Sequence, residues 1–240
     1  MLIERYETKE KEVVLTTKLE GLDFDGLKRE VDKRAGPIFQ IGTEKLDRLD
    51  LSSVPKDIVE KGGDWKDELR KKNPNFVDKL ITDDTLHHRS PFQPVVDEVL
   101  LAAHKWRLAY IETKAPTGNT VKKMSPHVTD EMAEPIVTQL WGYIVLGYYN
   151  SFDHSHWPNH LNFCLYLEAD PEDHLVFEEI GLNFEPERGS LIMWRGNLDH
   201  VFTVSGANER YTLAGSVNYQ KNPENFITKL GKKVINRITG

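Results

Sequence analysis

This sequence is poor in cysteine, in unbroken apolar stretches and in excess positive charge, and each shortage closes off a class of protein. Cys164 is the sole cysteine, so no disulfide forms within the chain and no thiolate cluster holds zinc. Cys164 could serve as a nucleophile, but a small core residue in a strand is the reading its apolar neighbours favour. No apolar run approaches the roughly 20 residues of a membrane span. The opening residues, MLIERYETKEKE, are charged where a secretory leader needs an apolar stretch. A cytoplasmic protein with no membrane partner is expected. Lys and Arg number 31 against 38 Asp and Glu, a formal charge of −7 that argues against a nucleic-acid partner. The small basic groups Lys71, Lys72 and Lys79, and Lys232 and Lys233, read as solvated faces.

What is present is an ordinary globular balance, 29% charged and 39% apolar over 240 residues. That length suits one decorated domain, 1–240, with a core able to hold a dry site. Residues 12–19 (EVVLTTKL) have the β-branched texture of a strand. Residues 22–34 suit a helix, with Leu27 and Val31 four apart and Gly36-Pro37 as a stop. Residues 40–81 are highly charged and punctuated by Pro55, Gly62-Gly63 and Pro74; short helices at 56–61 and 65–72 would make a covering layer or lid. Val95, Val96, Val99, Leu100 and Ala103 form an apolar stripe at helical spacing over 91–106, closed by His104 and Trp106 as packing residues. His87 and His88, beside Arg89, suit an exposed loop.

From residue 135 the texture turns to strands. Segments 137–149, 161–168, 174–178, 190–194, 200–204 and 210–219 are strand-like, with Gly189 and Gly206 in turns. Closely spaced strands joined by short turns predict a mainly β protein with α decoration, an antiparallel jelly roll or barrel over 135–220. Residues 1–134 would decorate it, and 221–240 would add a helix. Phe226, Ile227, Leu230, Val234, Ile235 and Ile238 fall near one face of that helix, which could pack inward or against a second copy.

The chemistry concentrates in WGYIVLGYYNSFDHSHWPNHLNFCLYLEA and FEPERGSLIMWRGNLDHVFTVSGANERYTLAGSVNY. His154 and His156 are two apart, so in an extended segment both imidazoles point the same way. His200 opens a later strand. Imidazoles from separate strands suit a borderline transition metal with open positions. His160 is a fourth candidate, because Pro158 could break the register enough to substitute it for His154 or His156. In the last strand Arg210, Thr212, Ala214, Ser216 and Asn218 alternate with Tyr211, Leu213, Val217 and Tyr219. If the bulky set faces a helix, Arg210 projects among small polar neighbours and seeks an anion. A surface salt bridge to Glu187 or Glu209 is the plainer alternative.

These residues together resemble the Fe(II)/2-oxoglutarate-dependent oxygenases. The order HSH, His200, Arg210 and then Thr212 is similar to that family's His-x-Asp/Glu, distal His, and Arg followed two later by Ser or Thr. The HSHWP form resembles a branch whose first motif reads His-x-His-Pro. The likeness spans 137–220, and the N-terminal half contributes nothing to it. It implies a double-stranded β-helix, cupin-like, with flanking helices. It implies iron on His154, His156 and His200, and the distal carboxylate of 2-oxoglutarate on Arg210 and Thr212. Asn162, Tyr143 and Tyr148 would add contacts to the cosubstrate or substrate, or else pack the barrel. Trp141, Trp157 and Trp194 would line the pocket or fill the core, the core being the safer reading. The family hydroxylates a substrate while 2-oxoglutarate becomes succinate and CO2. Free amino acid, small metabolite and protein side chain all fit as substrate. The departure is His156, which stands where the family carries a carboxylate. Three neutral imidazoles leave iron(II) with more net charge, and they equally suit a cupin-like oxygenase or isomerase that needs no 2-oxoglutarate. A non-catalytic binding module is the third reading.

Overall fold

The computed structural model describes residues 3–7, 13–38, 40–41, 44–45, 79–112, 128, 130, 133–146, 149–150, 153–156, 158–170, 172–204 and 209–221. The strands in chain order begin with β1 (Ile3–Glu7) and β2 (Val13–Lys18), followed by helix α1 (Phe24–Asp32). Next come β3 (Gly36–Ile38), β4 (Gln40–Ile41), β5 (Glu44–Lys45), β6 (Lys79–Ile81) and helix α2 (Gln93–Glu112). The chain continues with β7 (Ala133–Leu146), β8 (Tyr149–Asn150), β9 (Leu161–Glu168), β10 (His174–Phe177) and β11 (Leu182–Phe184). It ends, among the described residues, with β12 (Ser190–Arg195), β13 (Val201–Val204) and β14 (Glu209–Lys221).

These strands form a double-stranded β-helix. The large sheet has the order β1-β2-β12-β9-β14-β7-β6-β3 and the small sheet β11-β10-β13-β8. From β7 onward the chain crosses repeatedly between the two, so β12-β9-β14-β7 faces β11-β10-β13-β8 and every pairing is antiparallel. The single strand expected over 137–149 is therefore two. β7 stays in the large sheet to Leu146, and Tyr149 already pairs with Val204 in the small one.

Strand alternation sorts the side chains into two cores. Outward from the large sheet, Tyr211, Leu213, Val217 and Tyr219 join Leu161, Phe163 and Leu165 against Leu27 and Val31 of α1 and Val95, Val99 and Trp106 of α2. Inward, between the sheets, lie Val14, Tyr143, Val145, Cys164, Tyr166, Trp194, Phe202 and Ala214. The bulky set of β14 does face the helices, so Arg210 and Thr212 point between the sheets. Cys164 is a buried core residue, as its neighbours suggested.

Both helices begin and end for local reasons. Asp23 caps α1 by accepting from the Gly26 N–H at 2.8 Å. Gly142 lies under α1, where a Cβ would come within 2.7 Å of Val31. α2 extends past His104 and Trp106 to Glu112, because no glycine or proline follows Trp106 until Pro116. Trp106 is fully buried, its Nε1 donating to the Val13 carbonyl at 2.8 Å. His104, by contrast, is half-exposed and sits 3.7 Å from Glu134. β1 and β11 escaped the sequence reading, the first because IERYE is mostly polar and the second for its brevity. The segments 56–61, 65–72 and 225–238, expected to be helical, lie outside the described residues, as do Tyr148, Trp157 and Gly206. No described helix is long and apolar enough to cross a membrane.

Candidate metal centre

The site begins with a backbone device. His154 and His200 form an isolated antiparallel bridge, His200 N–H donating to the His154 carbonyl at 3.1 Å and His154 N–H to the His200 carbonyl at 3.3 Å. Two residues on, His156 N–H donates to the Gly196 carbonyl at 2.9 Å, and Gly196 N–H donates to the His160 carbonyl at 2.9 Å. The HSH segment is thus laid along the 196–200 turn by backbone pairing, which keeps both its imidazoles on one side. The approach requires glycine: a Cβ on Gly196 would stand 2.0 Å from the Asn159 carbonyl oxygen.

Three imidazoles converge as a result. Ring centroids lie 4.5 Å apart for His154 and His200, 5.0 Å for His154 and His156, and 5.3 Å for His156 and His200. One nitrogen from each lies within 4.8 Å of the others, the one such group of His, Cys, Asp or Glu among the described residues. Metal–nitrogen bonds of about 2.1 Å need nitrogens about 3 to 3.5 Å apart. The half-buried His154 and His156 rings would have to rotate to close that gap. His200 is buried, and its Nδ1 lies 3.2 Å from the Leu198 carbonyl. A carbonyl only accepts, so Nδ1 carries the hydrogen and Nε2 keeps its lone pair for a metal. Burial, reinforced by His154, pushes the pKa of His200 down to about 3, so the ring stays in the neutral, ligating form. Trp194 and Phe177 wall it in, with ring centroids 4.9 and 5.9 Å away, and Trp141 lies 6.1 Å from His156. Trp194 is at once core and wall. Asp153 and Asp199 are exposed and stand apart from the cluster.

His160 takes a different job. Its Nδ1 accepts the Tyr219 N–H at 2.9 Å and its ring stacks on Tyr219, so it fastens the loop to β14. The same loop is tied by Asn159 to Ser216 at 2.9 Å and by Asn218, whose Oδ1 accepts the His160 N–H at 2.8 Å. His87 and His88 lie in a short turn, ring to ring at 3.9 Å, and do not join the triad.

Arg210 lies deeper between the sheets. Phe202, two residues along from His200, covers its guanidinium at 3.2 Å from ring centroid to Cζ, and Tyr166 flanks it at 5.0 Å. Nε donates to Thr212 Oγ1 at 3.2 Å and Nη2 to the Tyr143 hydroxyl at 3.4 Å. Nη1 makes no hydrogen bond, although Asp173 Oδ2 lies 3.8 Å away and both side chains are 0% exposed. The surface partners Glu187 and Glu209 are therefore excluded: Glu187 pairs with Lys18, and Glu209 accepts from Tyr211. Asp173 had no signal in the sequence, being one acid in the polar turn EADPEDH. Burial pushes the Tyr143 pKa well up, so its hydroxyl keeps its proton. Asn162 is also buried. Its Oδ1 accepts from Ser216 at 3.2 Å, while its Nδ2 has no partner.

The sequence matches no protein-family model and no curated protein. Solved structures similar to this chain include a 2OG-Fe(II) oxygenase family oxidoreductase from Burkholderia pseudomallei, at 10% identity and TM-score 0.47, covering 85% of this chain and 84% of that one. The viral collagen prolyl hydroxylase of Paramecium Bursaria Chlorella virus-1 is 10% identical, with TM-score 0.46, covering 84% and 94%. A Pseudomonas putida prolyl-4-hydroxylase is 11% identical, with TM-score 0.46, covering 85% and 92%. At these values the likeness carries no functional argument, and the order of the strands stands on its own pairings.

Proposed function

We propose that this protein is an Fe(II)/2-oxoglutarate-dependent oxygenase that hydroxylates a small-molecule or amino-acid-like substrate. One observation carries the reading: the inner side of a single barrel holds both a three-imidazole cluster and a buried arginine with an unsatisfied Nη1. Packing explains neither. A buried donor without an acceptor costs about 1–3 kcal/mol, and such atoms persist where a ligand completes them.

In this reading His154, His156 and His200 hold the iron. Arg210, with Thr212 and Tyr143 fixing two edges of its guanidinium, offers Nη1 to the distal carboxylate. The Asn162 amide supplies a further donor. Iron and 2-oxoglutarate together supply the oxidising chemistry, leaving succinate and CO2. The chain's own work is to keep His200 neutral and oriented through Leu198, and to shield the site from water with Trp194, Phe177 and Phe202.

A three-histidine metal enzyme that uses no 2-oxoglutarate is the second reading, favoured by the carboxylate of Asp173 already beside Arg210. One experiment separates the two. Fe(II)-loaded protein under nitrogen is titrated with 2-oxoglutarate, and the visible charge-transfer band of a chelated 2-oxo acid is followed. A saturable band, shifted to much higher concentration in Arg210→Ala, supports the oxygenase. Iron binding without the band, or a band indifferent to Arg210→Ala, overturns the cosubstrate assignment. No iron binding overturns both enzymes in favour of a binding module.

A further inference from the structure

The pair formed by Arg210 and Asp173 is not an ordinary buried salt bridge. A structural Arg–carboxylate pair closes to about 2.7–2.9 Å, often with two parallel hydrogen bonds. Here the gap is 3.8 Å, and the two groups leave complementary atoms unused: Nη1 of Arg210 lacks an acceptor and Oδ1 of Asp173 lacks a donor. Asp173 Oδ2 is held in place by the Asp170 N–H at 2.9 Å, so the carboxylate cannot swing to close the gap without losing that bond. The Tyr166 hydroxyl, a third orphan, belongs to the same surroundings, its ring 5.0 Å from the guanidinium.

We infer that Asp173 is the proton-accepting residue of the Arg210 subsite, which admits a carboxylate only together with a proton taken up on Asp173. The inference rests on the oxygenase reading, which puts the distal carboxylate of 2-oxoglutarate at Nη1. Charge balance drives it. Arg210 and Asp173 are fully buried together, so a carboxylate entering at Nη1 sets two carboxylates against one guanidinium, and like charges that close favour a proton on one of them. With a proton on Asp173 the site returns to neutrality, and both orphans are served: Nη1 gains an acceptor, and the new Asp173 O–H becomes a donor. His174, next to Asp173 in the chain, is the other group there able to carry positive charge. The titratable and charged groups facing Asp173 are Arg210 from β14, Tyr166 from β9, and Asp170 and His174 from its own turn. Burial keeps Tyr166 protonated and pushes the Asp173 carboxyl above its usual range even beside Arg210.

The test is calorimetric. The Fe(II)-loaded full chain is titrated with 2-oxoglutarate under nitrogen from pH 6 to 9, in paired buffers of different ionisation enthalpy, for wild type and Asp173→Asn. Above the pKa of Asp173 in the free protein, uptake in wild type approaches one proton per 2-oxoglutarate, and affinity falls about tenfold per pH unit. Asp173→Asn takes up no such proton, binds more tightly at the alkaline end, and varies less than about threefold over the range after the shared histidine contribution is removed. Wild type binding without proton uptake overturns the inference, as does Asp173→Asn binding that is weaker throughout or equally pH-dependent. If Asp173→Asn does not fold, His174→Gln decides: proton uptake that persists there supports Asp173, and its loss overturns the inference. Absence of any 2-oxoglutarate binding fails the oxygenase reading itself, a result distinct from binding without a proton.

Discussion

Gly196→Ala tests how the imidazoles are held without touching any of them. A Cβ at this position stands 2.0 Å from the Asn159 carbonyl oxygen and 2.7 Å from its carbon. Ordinary van der Waals contact starts near 3.4 Å, so the two backbones must part by more than 1 Å. Both are main chain, and no side-chain rotation relieves the clash. The separation stretches two hydrogen bonds, His156 N–H to the Gly196 carbonyl and Gly196 N–H to the His160 carbonyl, each 2.9 Å. Losing them costs about 2–3 kcal/mol in stability at roughly 1 kcal/mol each plus partial desolvation. The effect on the metal is larger in consequence, because a site tolerates displacements of only about 0.5 Å. Disturbing groups that orient ligands costs about 10- to 100-fold in metal affinity, and a full 1 Å shift of His156 lies at the upper end. Urea denaturation of the metal-free protein measures the first quantity and anaerobic Fe(II) titration the second. Gly181→Ala is the control: it is also destabilising, because φ is +64°, but it has open space around it and lies in the β10–β11 turn. If Gly196→Ala binds iron as wild type does while losing stability, the backbone approach does not position His156 and the reasoning fails.

The remaining predictions concern the histidines. His156→Ala is expected to lose tight iron binding, whereas His160→Ala retains it and instead loses about 1–2 kcal/mol of stability as the Tyr219 N–H gives up its acceptor; the reverse pattern in paired titrations would reassign the triad. The His200 pKa lies near 3 in the folded chain against about 6.5 when unfolded. Between those values the unfolded state binds more protons, so metal-free stability declines as pH falls below about 6.5. By pH 5 the loss is about 2 kcal/mol. The excess slope of wild type over His200→Gln in urea midpoints measures it, and equal slopes would place the titration elsewhere.

Much of the barrel was legible because its signals are local. Alternation along β14 divided Arg210 and Thr212 from Tyr211 and Leu213, and the helices that cover the second set followed from stripes such as Leu27 with Val31. The two-residue spacing of His154 and His156 likewise needed only an extended backbone to bring both rings to one side. The limits of α2 and the division of 137–149 into β7 and β8 were less legible, since a helix without a stop signal runs on and a strand says nothing about which sheet receives its end.

What the sequence determined by itself is therefore the periodic part: which residues alternate, which stripe is apolar, and which side chains share one face of a strand. Tertiary structure alone decided the rest. It made His160 a fastener for Tyr219, brought Gly196 against Asn159, and set Asp173 beside Arg210 from a turn 37 positions away. The physical reason is that these relations run across strands. Period along one strand fixes a side chain's face, but pairing and register between strands fix its neighbours, and those neighbours set charge, burial and proton affinity.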